Sequence, residues 1–341
     1  MLAALFMWLL ALGTVYGGSL YAQALEKETG GFAQFVDLDV YAVALFPVTA
    51  SAMLLLLFSH FGLMQYILLG AVFGLAFLAV MDVSRWILVH RMGVSPSSRL
   101  VTPVSLATTL LIMWEWTCRG NFLAIDAIGI SLCFTLIATL RFPSLKLGGL
   151  CLGLLFLYDI FWVFLSPYFF GHNVMVVVAE KQAASPIQQA GEHFNIPFLK
   201  QFVPRLELPL KLILPSDSTP GRYVMLGLGD MALPGVLLNY AFRFVSAPLE
   251  IIKVADIEQQ PALEPQHEPL AQEQTSKLFA YAFGGYAFGL ATAFFVSMST
   301  GHAQPALIYI VPGILVPLCC RAAAEGKLVE LWQGAKLERI E

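Results

Sequence analysis

The sequence predicts an all-α polytopic membrane protein with nine transmembrane helices, its N-terminus luminal and its C-terminus cytosolic. Three observations carry this. The 341 residues are 58% hydrophobic and only 12% charged, with a mean hydropathy of +0.75, whereas a soluble domain carries about a quarter charged residues. Nine apolar stretches have the length of a membrane span. Lysine and arginine fall unevenly on the two sides that those stretches define. The net charge of -4, without a basic cluster, offers nucleic acid no footprint, so the lipid bilayer is the natural partner of this surface.

A span needs about 20 mostly apolar residues. In chain order that ruler finds 2–24, 40–60, 62–82, 101–118, 122–141, 147–170, 222–244, 277–298 and 305–320. No Lys or Arg precedes the first stretch, which is also long for a cleavable signal peptide, so it reads as a retained helix. The last stretch is short and is expected to run a few residues past Arg321. With the N-terminus outside, the cytosolic segments hold Lys27, Arg85, Arg91, Arg99, Arg141, Lys146, Arg243, Lys253, Lys277, Arg321, Lys327, Lys336 and Arg339. The outer side keeps Arg119 and five cations of one long loop, Lys181, Lys200, Arg205, Lys211 and Arg222. The excess of cations inside fixes the orientation.

These spans divide the chain into helices one to five (1–146), helices six and seven with a luminal loop at 171–221 (147–246), an acidic cytosolic linker (247–276), helices eight and nine (277–321) and a cytosolic tail (322–341). The linker contains EPQHEPLAQEQ, a composition that reads as disordered. Cys118, Cys133, Cys151, Cys319 and Cys320 are odd in number and lack metal-ligand spacing. They read as small buried hydrophobes, with Cys319-Cys320 also open to palmitoylation.

An ionisable group inside a bilayer is costly and points to function. Glu115 and Asp126 fall within about four residues of outer helix ends, and Asp82 at an inner end, so all three read as hydrated interfacial acids. Asp159 and Asp230 are deeper. Asp159 lies about eleven residues from the outer end of helix six and Asp230 about eight residues into helix seven, some 16 and 12 Å below one surface. Two carboxylates at one depth on consecutive antiparallel helices can face each other. Such a pair resists double ionisation and tends to hold a single proton. That state suits peptide hydrolysis, one carboxylate taking a proton from water while the other polarises the scissile carbonyl.

The neighbours of the pair fit close packing. Gly227-Leu228-Gly229-Asp230 places two glycines before the acid, and Pro234 leaves the carbonyl of residue 230 without its helical partner, which predicts a kink. Tyr158 precedes Asp159 in LYDIFWVF and reads as a packing aromatic. Gln304-Pro305-Ala306-Leu307 opens helix nine on the side from which both aspartates are reached. In the luminal loop, Leu206-Glu207-Leu208-Pro209-Leu210-Lys211-Leu212 alternates at period two and reads as a short strand, confined to an edge by Pro209. Its edge could hold an unwound segment by strand addition, or it could pack on the surface as a hairpin.

Tyr158-Asp159, Gly227-Leu228-Gly229-Asp230 and Pro305-Ala306-Leu307 resemble the YD, GxGD and PAL motifs of the signal peptide peptidase family, nine-span relatives of presenilin. The resemblance runs over most of the chain and is strongest from about residue 122 to 321. YDIFWVF, NVMVVVA, VPRLELPLKLILPS, MLGLGDMALPG and QPALIYIVP look most like the signal peptide peptidase-like subgroup without a large N-terminal luminal domain. LERIE at the end of the chain lacks a dilysine retention signal. The resemblance implies a presenilin-like fold and catalysis by Asp159 and Asp230. It implies substrate positioning by Tyr158, Gly227, Gly229, Pro305, Ala306 and Leu307, without cofactor or metal. It further implies transmembrane segments of type II proteins as substrates, ectodomain shedding and a home in the Golgi or endoplasmic reticulum, and it leaves a homo-oligomer open. The alternatives are a proton-coupled transporter and a non-cleaving scaffold. Paired broken helices and an internal repeat, expected of the former, are not found in the sequence.

Overall fold

The computed structural model of the chain describes residues 2–29, 36–171, 205–215, 223–258, 268–300 and 304–334, with short pieces at 174, 177–178 and 183–184. Its helices are α1 (Leu2–Thr29), α2 (Val40–Ser59), α3 (Phe61–Trp86), α4 (Val101–Trp114), α5 (Phe122–Thr139), α6 (Leu145–Ile160), α7 (Ser166–Phe170), α8 (Gly229–Glu258), α9 (Glu268–Thr300), α10 (Leu307–Ala324) and α11 (Leu328–Gln333). π-Helical turns follow α3 at Ile87–Arg91 and α4 at Glu115–Arg119, and a third at Phe161–Leu165 joins α6 to α7.

Among the described residues, seven helices are long and apolar enough to cross a membrane: Leu2–Lys27, Val40–Ser59, Met64–Arg91, Phe122–Thr139, Leu145–Phe170, Lys277–Thr300 and Leu307–Ala324. They coincide with seven of the nine expected stretches, and α10 does run past Arg321, to Ala324. The other two stretches fall outside that set: 101–118 is helical, while 222–244 is helical only from Gly229. α4 has 14 residues before its π turn, and Asp230, Asn239 and Arg243 interrupt the apolar run of α8.

Local chemistry sets several helix starts. Asp39 caps α2, its carboxylate accepting from the Val40 N–H at 2.6 Å. Asn121 caps α5 through Leu123 at 3.1 Å, and Ser144 caps α6 through Leu147 at 3.3 Å. Each satisfies a donor that a helix's first turn leaves over.

α5 occupies the middle of the bundle, against α1, α3, α4 and α8, while α6 packs on α2, α8 and α10. One apolar cluster joins Met7, Ile137, Leu152, Leu237, Tyr286 and Ile314, which belong to six different helices. α9 and α10 form the most extensive helix pair. A Cβ on Gly285 would collide with the Gly313 carbonyl, and one on Gly289 would stand 2.5 Å from the Tyr309 carbonyl oxygen. Small residues let these backbones touch, the usual basis of helix association in lipid. On the outer side of α9, Tyr281, Phe288 and Phe295 are 52%, 74% and 72% exposed. They recur every seven residues on one face, an apolar stripe suited to lipid.

At one end of the bundle Glu26 meets Arg141 at 3.2 Å and Arg243 at 3.3 Å. There the strand β1 (Val36–Asp37) pairs in parallel with β2 (Leu140–Arg141). All these residues come from segments that the cation bias puts on one side.

Three expectations change. The stretch 222–244 is not one helix: its described part begins as a strand, β6 (Tyr223–Gly227), and α8 starts only at Gly229. An apolar run does not by itself distinguish strand from helix. Within 247–276, residues 247–258 and 268–276 are helical continuations of α8 and α9 rather than disordered, and 259–267 lie outside the described residues. Glu, Gln, Ala and Leu are good helix formers, so flanking helices propagate into them. Leu331 of α11 is fully buried, and the Tyr240 hydroxyl donates to its carbonyl at 2.7 Å. All five cysteines are free, as expected, but Cys320 is exposed, not buried.

Candidate active site

Asp159 lies in the last turn of α6 and is 5% exposed. The π turn at Phe161–Leu165 follows it directly, and such turns are frequent at functional sites. The Oδ2 of Asp159 accepts from the backbone N–H of Leu307 at 3.4 Å. Leu307 is the first residue of α10, two positions later than the expected start, and its N–H is one of the donors a helix start leaves free. Pro305 and Leu307 are buried and Ala306 is half-buried. The Ala306 carbonyl accepts from Tyr309 and Ile310, both at 3.1 Å, which anchors the first turn. The Tyr158 ring is tilted against Trp162 at 6.3 Å, in keeping with its reading as a packing aromatic.

Asp230 reaches the site by another route. β5 (Lys211–Pro215) and β6 form an antiparallel ribbon in which Lys211 faces Gly227 and Pro215 faces Tyr223. The Leu228 N–H adds one more bond, to the Leu210 carbonyl at 3.0 Å. The chain then turns at once into α8, whose Met231 and Ala232 N–H groups bond the Leu228 carbonyl. Asp230 therefore sits in the first turn of its helix, not eight residues inside it. It is partly exposed, and its carboxylate lies within electrostatic reach of Asp159. A Cβ on Gly227 would stand 3.2 Å from Asp230 Oδ2, so this glycine leaves the carboxylate its space. Gly229 is exposed.

Pro234 removes the N–H that would bond the Asp230 carbonyl. The expected kink does not divide the helix, which is continuous from Gly229 to Glu258. Instead the hydroxyl of Tyr286, a fully buried residue of α9, donates to the Asp230 carbonyl at 3.5 Å. Sequence reasoning missed Tyr286. The signal available was the donor that Pro234 leaves missing.

The strand expected at 206–212 is displaced. β4 (Arg205–Leu206) pairs with β3 (Ala183–Ala184), residues 207–210 are not strand, and β5 begins at Lys211. Leu212, Ile213 and Leu214 are all buried, so the alternation ends where the ribbon enters the bundle. Of the three acids read as interfacial, Glu115 pairs with Arg119 at 2.9 Å and Asp82 is exposed. Asp126 departs from that reading. It is 5% exposed, and its Oδ1 accepts from the Ile213 N–H at 2.8 Å. The ribbon folds over it and removes it from water.

Comparison with known proteins adds a family. The peptidase family model described as Signal peptide peptidase matches residues 32–338. The chain is similar to Signal peptide peptidase-like 1 of Oryza sativa subsp. japonica, 37% identical over 229 residues, or 65% of this chain and 58% of the rice protein. It is similar to Signal peptide peptidase-like 1 of Arabidopsis thaliana, 30% identical over 344 residues, or 93% of this chain and 87% of that protein. Signal peptide peptidase-like 2B of Rattus norvegicus is 28% identical over 250 residues, or 70% of this chain and 36% of the rat protein. The matched segment thus spans less than two thirds of the rice and rat relatives.

Proposed function

This chain belongs to the signal peptide peptidase family, and from that premise we propose that it is an intramembrane aspartyl endopeptidase whose working pair is Asp159 and Asp230. The observation that carries this is that two carboxylates from separate elements lie within electrostatic reach of each other, one held by the Leu307 N–H and the other set at the end of the ribbon. One carboxylate removes a proton from water as the water oxygen attacks the scissile carbonyl carbon. The other, protonated, donates to the carbonyl oxygen. Collapse of the tetrahedral intermediate breaks the C–N bond, and a proton returns to the leaving amine.

The residues around the pair position the substrate in this reading. Pro305, Ala306 and Leu307 border Asp159, Gly227 and Gly229 border Asp230, and Tyr158 packs beside Asp159. A transmembrane helix has to unwind before it can be cut. A strand added to the ribbon would present the unwound segment in extended form. The seven apolar helices, with α4 and α8 as two further spans, give nine crossings, and the cation bias makes the N-terminus luminal. Transmembrane segments of type II proteins are the proposed substrates, and the Golgi or endoplasmic reticulum the proposed compartment.

The test is purified protein with candidate type II membrane segments, with and without an aspartyl transition-state analogue, and cleavage sites read by mass spectrometry. Inhibitable cuts within the membrane segment are expected. Absence of cleavage across a panel of such segments would overturn the reading.

A further inference from the structure

α5 runs past the site with one face turned to the chain that leads into Asp230. Asp126, Gly129, Cys133 and Ile137 follow one another at steps of three or four residues and so share that face. Each meets a different part of the ribbon and of α8. Asp126 Oδ1 accepts from the Ile213 N–H at 2.8 Å. A Cβ on Gly129 would lie 3.2 Å from Leu212 Cδ2 and 3.4 Å from Leu228 Cδ2, so the ribbon rests almost on the helix backbone. Cys133 Sγ donates to the Leu228 carbonyl at 3.9 Å, and the Ile137 carbonyl accepts from Asn239 Nδ2 at 3.0 Å. Just before α5, the Trp116 indole N–H donates to the Glu207 carbonyl at 2.9 Å.

We propose that Asp126 is a positioning residue for proteolysis: by holding the Ile213 N–H it seats the β5–β6 ribbon on α5 and fixes where an added substrate strand meets Asp230. Three points support this. A carboxylate is costly to bury without a partner, yet Asp126 is buried, and its bonding partner Ile213 belongs to the same apolar cluster as Ile125, Ile128 and Trp116. Its bond reaches the side of β5 turned away from β6, so it occupies that edge of the ribbon. An incoming strand is left the second edge of β6, which ends at Gly227, three residues before Asp230. Asp126 touches none of the reacting atoms and acts through the ribbon.

The proposal rests on the peptidase reading. Its test measures kcat and KM on one type II membrane segment for the purified wild type, Asp126→Ala and Asp126→Asn. Asparagine keeps an acceptor oxygen in the same place. Asp126→Ala is expected to raise KM about tenfold, the scale of one hydrogen bond to a charged group, with kcat changed less than about twofold. Asp126→Asn is expected to stay near wild type. An unchanged KM in Asp126→Ala, or equal loss in both variants, would overturn the proposal. If Asp126→Ala does not fold, Asp126→Glu asks the same question, because it keeps the charge and displaces the acceptor by one methylene. A several-fold rise in KM is then expected, and a wild-type KM would overturn the idea. A wild type that cleaves nothing removes the peptidase reading and this proposal together. A cleaving wild type with an unaffected Asp126→Ala removes the proposal alone.

Discussion

The backbone N–H of Leu307 stands 3.4 Å from Oδ2 of Asp159, joining residues 148 positions apart in the chain. A main-chain donor at a helix start is a rigid partner, because the helix it opens fixes its direction. Here that helix is α10, itself locked to α9 by the glycine contacts at Gly285 and Gly313. The position of one carboxylate therefore depends on the packing of two helices that do not carry it.

Leu307→Pro removes this donor at the first position of α10, where proline itself is tolerated, although it disfavours the αR backbone of Ala306 and so needs a fold control. We expect cleavage to fall about tenfold or more, the scale of a lost hydrogen bond to a charged group. Leu307→Ala keeps the N–H, loses only side-chain packing and is expected to retain more activity. Comparing kcat for the two, with thermal melting as the fold control, checks this. Equal activity in both variants would show that the donor is dispensable.

Asp159→Ala and Asp230→Ala are each expected to reduce cleavage by about three orders of magnitude or more, since general acid–base catalysis alone is worth about 10²–10⁴. Both variants are expected to fold in the membrane. Cleavage assays beside size-exclusion profiles read the two properties apart, and substantial activity in either variant would dissolve the pair.

Tyr286→Phe deletes one hydroxyl and leaves the ring in place. The Asp230 carbonyl then loses the donor that stands in for the N–H missing at Pro234. A stability loss of about 1 kcal/mol is expected, with a lower kcat and little change in KM as the first turn of α8 relaxes. Steady-state kinetics with a denaturation midpoint would detect it. A variant unchanged in both would show that this contact supports nothing.

Gly285→Val puts a branched side chain where even a Cβ meets the Gly313 carbonyl. Overpacking of this kind costs about 1–3 kcal/mol or more. The melting temperature in detergent is expected to drop, and activity to fall with it, because α10 carries Leu307. Gly284→Ala is the control, since nothing lies within 4 Å of a Cβ there.

Seven of the nine apolar spans were legible in the sequence because hydropathy reports them directly. Asp159 falls where span counting puts it. Asp230 was singled out by a depth argument whose element was wrong, since it lies in the first turn of α8 rather than eight residues inside a helix. Residues 222–228 are apolar and adjoin an apolar helix, so composition cannot mark the change from strand to helix at Leu228. Asp126 was misjudged for a related reason: distance from a helix end reports depth in the bundle, but not whether another segment folds over the residue. Tyr286 was invisible because a lone tyrosine among many aromatics gains meaning only once Pro234 faces it.

The ribbon has a consequence for supply. Among the described residues its sheet has two strands, so the second edge of β6 presents amide and carbonyl groups that hydrocarbon cannot satisfy. Non-helical backbone at membrane depth persists where it is enclosed by protein or wetted. Hydrolysis consumes one molecule of solvent per bond, and a lipid interior provides almost none. In the proposed protease, the same edge that would grip a substrate can, while none lies on it, keep a thread of moisture leading toward Asp230 and so hold the co-reactant of hydrolysis near the site.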